Sequence, residues 1–167
     1  MKSEDVILGV IREKSRTGYE IVEVFKTIFS HFFDGSYGSV YPVLHKLEKE
    51  GKITKETIVQ EGKPNKNVYS ITEMGKEHFK NYLESDLQAE VTKSDFLMRL
   101  YFGEFLSQAV LHEWIEEELS RKKRLLDQLE ENYAHWMDKM SLSQKLCYEI
   151  GIERYRSELK ILTDRLS

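Results

Sequence analysis

The chain has 167 residues, which favours one domain or two small ones, and 40% of them are hydrophobic and 32% charged. The aromatic residues (Trp 2, Tyr 9, Phe 8) suffice for a packed core, and only two prolines and nine glycines exclude a low-complexity or collagen-like chain. The single cysteine, Cys147, excludes an intramolecular disulfide framework and a multi-cysteine zinc site. Because the sequence has no apolar run near the ~18 residues of a membrane span and no signal-peptide pattern, we expect a soluble cytoplasmic protein.

The net charge of −4 is unevenly divided along the chain. Residues 1–80 carry 13 Lys and Arg against 12 Asp and Glu, whereas residues 81–167 carry 12 against 17. The two halves differ in charge, and we expect them to differ in function.

The first 28 residues predict two helices. Residues 3–14 place their apolar side chains on one helical face, with Ser3 as the expected N-cap. The second helix begins at a capping box, in which Thr17 caps the helix and Glu20, three residues later, reaches back to the cap backbone. Apolar residues then continue at helical spacing as far as Ile28.

A third helix is predicted to start near Ser36 and to end at Gly51, a favourable residue after a helix C-terminus. A proline inside a helix costs roughly 3 kcal/mol unless it lies in the first turn, so Pro42 implies a regular helix that begins close to Ser39 or a distorted first turn. The core stripe is formed by residues spaced four and three apart: Val40, Leu44 and Leu47. The opposite face is formed by Gly38, Pro42, His45 and Lys49.

The sequence period then changes to two. Lys52–Val59 and Val68–Ile71 are rich in β-branched residues and predict two strands, joined by a turn-rich loop at Gln60–Asn67. A further helix is predicted from Thr72. The order of three helices, a hairpin and a helix is that of a winged helix-turn-helix domain, in which the third helix enters a groove and the hairpin is the wing. We assign residues 1–85 to this DNA-binding domain.

Residues 86–167 predict an all-helical dimerisation domain, so that the fold class is mainly α with a small β-hairpin. Ser107 is the expected cap of a long helix, and Ser141 and Gln144 form a second capping box before the last helix. Both helices carry apolar residues at alternating spacings of three and four, close to a coiled-coil heptad. A chain this short buries only part of that surface, so we expect a homodimer. The residues assigned to dimerisation are Leu111, Ile115, Leu126, Leu129, Tyr133, Tyr155, Leu159 and Leu162.

The outer side of the predicted third helix has residue types that suit DNA. Hydroxyl groups near a helix N-terminus meet phosphates where backbone N–H groups also point outward, and a histidine and lysines add donors and charge. The candidate contacts are Ser36, Tyr37, Ser39, Tyr41, Pro42, His45, Lys46 and Lys49. The alternative is that the two tyrosines pack in the core and the lysines only solvate the helix.

The tip of the predicted hairpin is a second candidate for DNA contact, because a basic tip can reach a minor groove or flanking phosphates. Its candidate residues are Lys63, Asn65, Lys66 and Asn67. The alternative is an ordinary solvated hairpin, but the two features together in one winged-helix pattern are more specific than either alone.

Three runs of the sequence resemble the PadR family of transcriptional regulators. They are Gly18–Ile21, Ser36–Ile53 with its Tyr-Pro-x-Leu-x-x-Leu-Glu-x-x-Gly-x-Ile pattern, and Gly62–Gly75 with its Tyr-x-Ile-Thr-x-x-Gly pattern. The stretch from Ser94 through the long helix resembles the C-terminal dimerisation domain of the larger PadR subgroup. That subgroup includes phenolic-acid-responsive repressors and a virulence activator.

The resemblance implies a homodimeric repressor bound to a pseudo-palindromic operator. Each protomer would place the third helix in a major groove with the Lys63–Asn67 wing beside it, and Tyr41 and the residues just before it would contact DNA. The wing tip reads Lys-Pro-Asn-Lys-Asn here, where many relatives have a Pro-Arg-Lys-like cluster, so we expect weaker wing contacts. Repression and activation begin with the same docking, and the contact residues alone do not separate them.

The resemblance also implies a small aromatic effector that releases the DNA. Pockets for such compounds are mostly apolar and aromatic. The candidate pocket residues are Tyr19, Phe32, Phe33, Trp114 and Trp136. The alternative is that these residues belong to the core and to the dimer seam.

No cofactor, metal site or enzymatic activity is predicted. The five histidines are scattered without an H-E-x-x-H or Cys–His cluster, and the acidic run Glu116–Glu118 is typical of a solvated helix face. The remaining alternative is a winged-helix module that binds a partner protein without sequence-specific DNA binding. Such a surface would expose apolar groups, whereas the third helix exposes polar and basic ones, which favours DNA.

Overall fold

The chain divides into two units, Met1–Ala89 and Glu90–Ser167. A computed structural model describes residues 1–33, 37–62, 65–90 and 93–166. Within these ranges, no helix combines the length and the apolar character that a membrane span requires.

The first unit has the predicted order of three helices, a hairpin and a helix. Its helices are α1 (Ser3–Glu13), α2 (Gly18–Thr27), α3 (Val40–Lys49) and α4 (Glu73–Glu84). Its strands are β1 (Arg16–Thr17), β2 (Ile53–Ile58) and β3 (Lys66–Ile71), which form one antiparallel sheet in the order β1-β3-β2. The predicted mainly helical fold with a hairpin wing is therefore confirmed.

Two details of the sheet differ from the sequence prediction. The strand β1 was not predicted, because two residues carry no periodic signal and Arg16 and Thr17 become a strand only by pairing with Tyr69 and Val68. The strand β3 begins at Lys66, opposite Ile58, so the predicted loop was wrong to include the last two residues before Val68. Pairing with β2 extends the ladder beyond the β-branched run.

The capping pattern predicts the start of α2 correctly but not that of α1. The Thr17–Glu20 capping box is confirmed, since the Glu20 N–H donates to Thr17 Oγ1 at 3.2 Å and the Thr17 N–H donates to Glu20 Oε2 at 2.7 Å. Ser3 is not the cap of α1 but its first residue. The Asp5 carboxylate instead accepts a hydrogen bond from the Lys2 N–H at 2.8 Å, which moves the helix start one residue earlier.

The helix α3 begins at Val40, directly after a 3-10 turn over Tyr37–Ser39. Pro42 therefore lies in the first turn, where it removes no intrahelical hydrogen bond, as the sequence predicted. After the helix, Gly51 adopts a φ of +70°, the left-handed conformation that a C-terminal glycine supplies.

The core of the first unit is built from α1, α2, α3 and two strands, and the partly buried Phe79 of α4 packs against it. The hydrophobic residues less than a tenth exposed are Ile7, Leu8, Val10, Ile11, Ile21, Phe25, Val40, Leu44, Leu47, Ile53 and Tyr69. The predicted core stripe of α3 is therefore confirmed, and it anchors the helix with its other side toward solvent.

The start of α4 is held against the corner between α3 and β2. The Thr72 hydroxyl donates to the Gly51 carbonyl at 2.8 Å, and the Thr72 N–H donates to the Lys52 carbonyl at 3.0 Å. Thr72 Oγ1 in turn accepts from the Gly75 N–H at 3.2 Å and caps α4. A Cβ atom at Gly75 would lie 2.1 Å from the Lys52 carbonyl oxygen, so only glycine allows this approach.

The second unit consists of α5 (Asp95–Tyr101), α6 (Gln108–Trp136) and α7 (Leu142–Leu166). The two long helices pack against each other as an antiparallel hairpin, with the rings of Tyr133 and Tyr148 stacked at 5.8 Å. The predicted Ser107 cap is confirmed by its hydrogen bond from the Val110 N–H at 3.4 Å.

The start of α7 is also capped as predicted. The Ser141 N–H donates to Gln144 Oε1 at 2.9 Å, and the Gln144 N–H donates to Ser141 Oγ at 3.2 Å. The capping box therefore fixes where the chain re-enters the helix after the turn that follows α6.

One acidic residue in the second unit was assigned wrongly from the sequence. Glu118, read as part of a solvated face, is only 8% exposed. Arg121 donates to both of its carboxylate oxygens, at 2.8 and 2.6 Å, and Lys122 bridges from Glu118 to Glu158 on α7. The helix period could not show this burial, because it depends on packing against α7, whose Glu158 shares Lys122 with Glu118 and lies forty residues away in sequence.

We expect Gly75→Ala to destabilise the chain, although alanine normally stabilises a helix relative to glycine. Its Cβ collides with a backbone oxygen that cannot move without shifting β2, and overpacking of this kind costs about 1–3 kcal/mol. Urea unfolding followed by circular dichroism measures the change. Glu77→Ala, at an exposed position of the same helix, is the control and should change stability little. Equal stability of the two variants would show that stability does not depend on the close approach of Gly75 to the Lys52 carbonyl oxygen.

Candidate nucleic-acid interface

The solvent-facing side of α3 carries most of the predicted recognition residues. Tyr41 is 56% exposed, and Pro42, His45 and Lys49 are exposed, whereas Ser39 is half-buried. The structure thus excludes a core position for Tyr41. Ser36 lies outside the described residues, and Tyr37 is described only in its backbone, within the 3-10 turn.

Tyr41 is positioned by a glycine at the start of α2. A Cβ atom at Gly18 would lie 2.6 Å from the Tyr41 ring, so the ring rests directly on this backbone. The neighbouring Tyr19 is 68% exposed. Tyr19 lies at the start of α2 and Tyr41 at the start of α3, so both hydroxyl-bearing rings lie where these two helices meet in the helix-turn-helix.

Lys46 differs from the other lysine of α3 because it belongs to an ion pair with α1. Its Nζ donates to Glu4 Oε2 at 2.5 Å, and Glu4 is only 8% exposed. This hydrogen bond lowers the pKa of Glu4 and raises the pKa of Lys46. Lys46 was predicted to supply charge for DNA, but in this structure its ammonium compensates a buried carboxylate.

The wing presents one strand to solvent along most of its length. In β2, every residue after Ile53 is exposed, and Lys55 Nζ lies 3.3 Å from Glu48 Oε1, an ion pair that links the wing to α3. The sequence analysis missed Lys55, although its position in an alternating strand was a usable signal. A basic residue at the root of the wing is thereby held beside α3.

The predicted wing residues differ in their hydrogen bonding and in whether the structure describes them. Asn65 and Lys66 are exposed, and Lys66 begins β3. Asn67 is also exposed, but its Oδ1 accepts a hydrogen bond from the Thr57 hydroxyl at 2.9 Å across the hairpin. Lys63 lies outside the described residues.

The aromatic residues predicted to line an effector pocket within the first unit differ in their exposure. Tyr19 is exposed, and Phe32 and Phe33 are half-buried. Phe33 packs edge-on against Phe25 at 6.1 Å and so contributes to the core, as the alternative interpretation expected.

The two tryptophans of the second unit are also separate. Trp114 lines an open cavity of about 280 Å³ together with Met98, Arg99, Phe102, Phe105 and Leu106. Trp136 lies 22 residues further along α6, or about 33 Å at the helical rise, with its ring edge-on to His135 at 4.6 Å. The structure therefore does not bring Trp114 and Trp136 into one pocket.

The cavity beside Trp114 has one cationic group. The Arg99 guanidinium lies 5.3 Å from the centre of the Trp114 ring and donates to Asp95 Oδ2 at 2.7 Å. Apolar walls with a single guanidinium suit a planar aromatic compound that carries a carboxylate.

The residues predicted to form the dimer seam pack mainly within one chain. Leu129 is fully buried and Tyr155 is 9% exposed, so the packing of α6 on α7 already covers them. The other six are half-buried: Leu111, Ile115, Leu126, Tyr133, Leu159 and Leu162. The packing of α6 on α7 thus accounts for the burial of Leu129 and Tyr155 within one chain, and their assignment to contacts with a second copy stays a prediction.

Apolar side chains remain exposed on the other face of α7. Leu142, Leu146 and Ile150 are 85%, 55% and 60% exposed. Their spacing of four places them along one stripe, opposite the buried Tyr148 and Ile152.

Comparison with known proteins gives a consistent result. The model of the PadR-like family of transcriptional regulators matches residues 7–81. The negative transcriptional regulator PadR of Bacillus subtilis is 30% identical over 132 residues, which cover 78% of this chain and 72% of that protein. A crystal structure of a Streptococcus mutans protein matches 99% of both chains at 45% identity, with a TM-score of 0.94.

Two structures of the Bacillus subtilis PadR carry ligands. The complex with operator DNA has a TM-score of 0.81 at 28% identity, over 98% of this chain and 96% of that one. The complex with p-coumaric acid has a TM-score of 0.75 at 27% identity, over 98% and 95%.

We expect Lys46→Met to lower the thermal midpoint at neutral pH by leaving the Glu4 carboxylate without its partner. Because pairing depresses the pKa of Glu4, this stabilisation exists above the ordinary carboxyl pKa of 4.5 and is lost as pH falls through the lower folded value. The difference between variant and wild type should therefore disappear in acid. Thermal unfolding across pH measures it, with Lys49→Met as the exposed control on the same helix. A pH-independent difference would contradict an electrostatic role.

Proposed function

The chain belongs to the PadR-like family of transcriptional regulators, and we propose that it is a homodimeric repressor of a pseudo-palindromic operator in the cytoplasm. Membership of this family confirms that the chain is a regulator and not an enzyme. The observation that carries the proposal is the two-sided α3, whose buried stripe anchors it while Tyr41 and His45 face solvent. The operator complex of the similar Bacillus subtilis PadR and its description as a negative regulator support it.

In the proposed complex, α3 enters the major groove and the wing follows the adjacent backbone. Tyr41 and His45 reach base edges or phosphates, Lys49 contacts a phosphate, and Asn65 and Lys66 contact the flanking DNA. Lys46 acts indirectly, by holding α3 on Glu4. A two-fold dimer then requires half-sites spaced by roughly 34–36 Å or a multiple of it.

We expect alanine substitutions on α3 to weaken operator binding in two distinguishable ways. Lys49→Ala should lower the slope of log affinity against log salt by about one, because one phosphate contact is lost. His45→Ala should weaken specific binding roughly tenfold while leaving binding to a scrambled duplex unchanged. Fluorescence anisotropy with the region upstream of the protein's own gene, at several salt concentrations, measures both.

The control for this experiment is Lys160→Ala, an exposed lysine of α7 in the second unit, which should bind like the wild type. If His45→Ala and Lys49→Ala also bind the operator like the wild type, α3 is not the element that recognises the DNA. The alternative, a module that binds a partner protein, makes a different prediction. The wild type would then bind every upstream fragment no more tightly than the scrambled duplex, and a partner protein would be retained through α3.

We propose that the dimer forms through the exposed stripe of α7. An apolar stripe of this kind is covered when an equivalent stripe of a second copy packs against it. The half-buried residues of α6 then support the interface from within the chain.

We expect Leu146→Glu to convert the dimer to a monomer, because it buries a carboxylate in an apolar contact. Sedimentation equilibrium measures the mass. The matched control is Cys147→Glu, which adds the same charge one residue further and about 100° around the helix, on an exposed flank. A Leu146→Glu variant that stays dimeric would contradict this interface.

We propose that a small aromatic carboxylate releases the DNA and binds in the cavity beside Trp114. The cavity walls and Arg99 support this site, as does the p-coumaric acid complex of the Bacillus subtilis protein. Trp136 is not part of it.

The two tryptophans allow a direct test of the effector site. In Trp136→Phe, p-coumaric acid should quench the remaining Trp114 fluorescence and reduce the anisotropy of bound operator. In Trp114→Phe, the quenching should be absent after correction for ligand absorbance. Quenching of Trp136 alone would show that the effector binds elsewhere. A third variant, Arg99→Leu, should bind p-coumaric acid roughly tenfold more weakly because a charge-assisted hydrogen bond is lost.

A further inference from the structure

Three potential metal ligands meet in the first unit, where α1 begins and α4 passes beside it. They are the carboxylates of Glu4 and Asp5 and the imidazole of His78, and their ligand atoms all lie within 4.8 Å of one another. Glu4 and Asp5 are buried, at 8% and 6% exposure, and His78 is about one third exposed. The cluster is therefore held by packing and remains open to solvent on the histidine side.

The spacing within this cluster suits a small metal ion. His78 Nε2 lies 3.4 Å from Asp5 Oδ1. Two ligands at Zn²⁺ bond lengths of about 2.0–2.1 Å in a tetrahedron are separated by about 3.3 Å. Little movement is needed to place one ion between them.

Each carboxylate is oriented by a short hydrogen bond to one of its oxygens, which leaves its second oxygen with a longer contact. Asp5 uses Oδ2 to accept from the Lys2 N–H at 2.8 Å, while Oδ1 faces His78. Glu4 uses Oε2 for Lys46, and its Oε1 has a longer contact of 3.9 Å to the exposed Lys2 ammonium. Hydrogen bonds of this type fix metal ligands in their binding orientation.

The charge of the cluster also favours a cation. Glu4 is bonded to Lys46 and lies 3.9 Å from the exposed Lys2 ammonium, whereas the group beside Asp5 Oδ1 is the His78 imidazole, so the charge of Asp5 is the less compensated of the two. A buried charge without full compensation is unfavourable. A dication bound to all three ligands would supply that compensation.

We propose that Glu4, Asp5 and His78 form a binding site for a divalent transition metal ion, best suited to Zn²⁺. The ligands are one oxygen of each carboxylate and Nε2 of His78, with solvent completing the coordination. Lys46 competes with the metal electrostatically, because both cations are attracted to Glu4. None of the three ligands is among the residues proposed to contact the operator, and the metal is titrated without DNA, so either proposal can fail alone.

The test is Zn²⁺ titration of the full chain by calorimetry near neutral pH, with Co²⁺ absorption as a second readout of coordination. His78→Ala and Glu4→Gln should each weaken binding tenfold or more, since a ligand is lost. Lys46→Met should tighten binding, because the competing cation is removed. His78 is partly exposed, so its alanine variant should keep the wild-type circular dichroism spectrum.

The matched control is His112→Ala, which removes a histidine–carboxylate pair on the second unit, His112 Nε2 to Glu116 Oε1 at 3.2 Å on α6. This variant should bind Zn²⁺ like the wild type. The proposal is overturned if the wild type takes up no Zn²⁺, if His78→Ala binds as tightly as the wild type, or if His112→Ala abolishes binding.

Discussion

The close approach of Gly75 to the Lys52 carbonyl is the constraint on which the arrangement of the first unit depends. It brings the start of α4 onto the corner that ends α3 and begins β2, and Thr72 then bonds to both residues of that corner. The helix α3 and the wing leave the same corner. Their relative position is thus set by contacts at this corner, which side-chain changes on the exposed face of α3 leave intact.

The Glu4–Lys46 ion pair supports α3 from the other side. A buried carboxylate without a partner is costly, so the helix that carries Lys46 is tied to α1 wherever Glu4 is ionised. This gives two lysines of one short helix different roles, since Lys49 points to solvent. It also places α3 next to the cluster formed by Glu4, Asp5 and His78, so that a cation bound there would compete with Lys46 for Glu4.

The positions of the candidate site residues were predictable where the helical period alone decides which side chains are exposed. They were not predictable where contact with a residue distant in sequence decides it. Val40, Leu44 and Leu47 define the buried side of α3, and the exposure of Pro42 and His45 follows from geometry. Nothing in the local sequence shows that Lys46 meets Glu4, 42 residues earlier. The same reason explains Leu129 and Tyr155, whose heptad spacing predicted a seam but not whether the partner helix belonged to the same chain.

The sequence by itself determined the order of the helices and the hairpin, the caps of α2, α6 and α7 and the buried stripe of α3, because each depends on residues within one or two turns of each other. Thr17 and Glu20, Ser141 and Gln144, and Pro42 in the first turn of α3 are of this kind. The tertiary structure decided what depends on residues far apart in the chain. It brought His78 to Glu4 and Asp5, placed Trp114 and Trp136 far apart on one helix, and left the stripe of Leu146 exposed. Packing across long sequence separations sets those positions, and no local pattern encodes which distant residue becomes the neighbour.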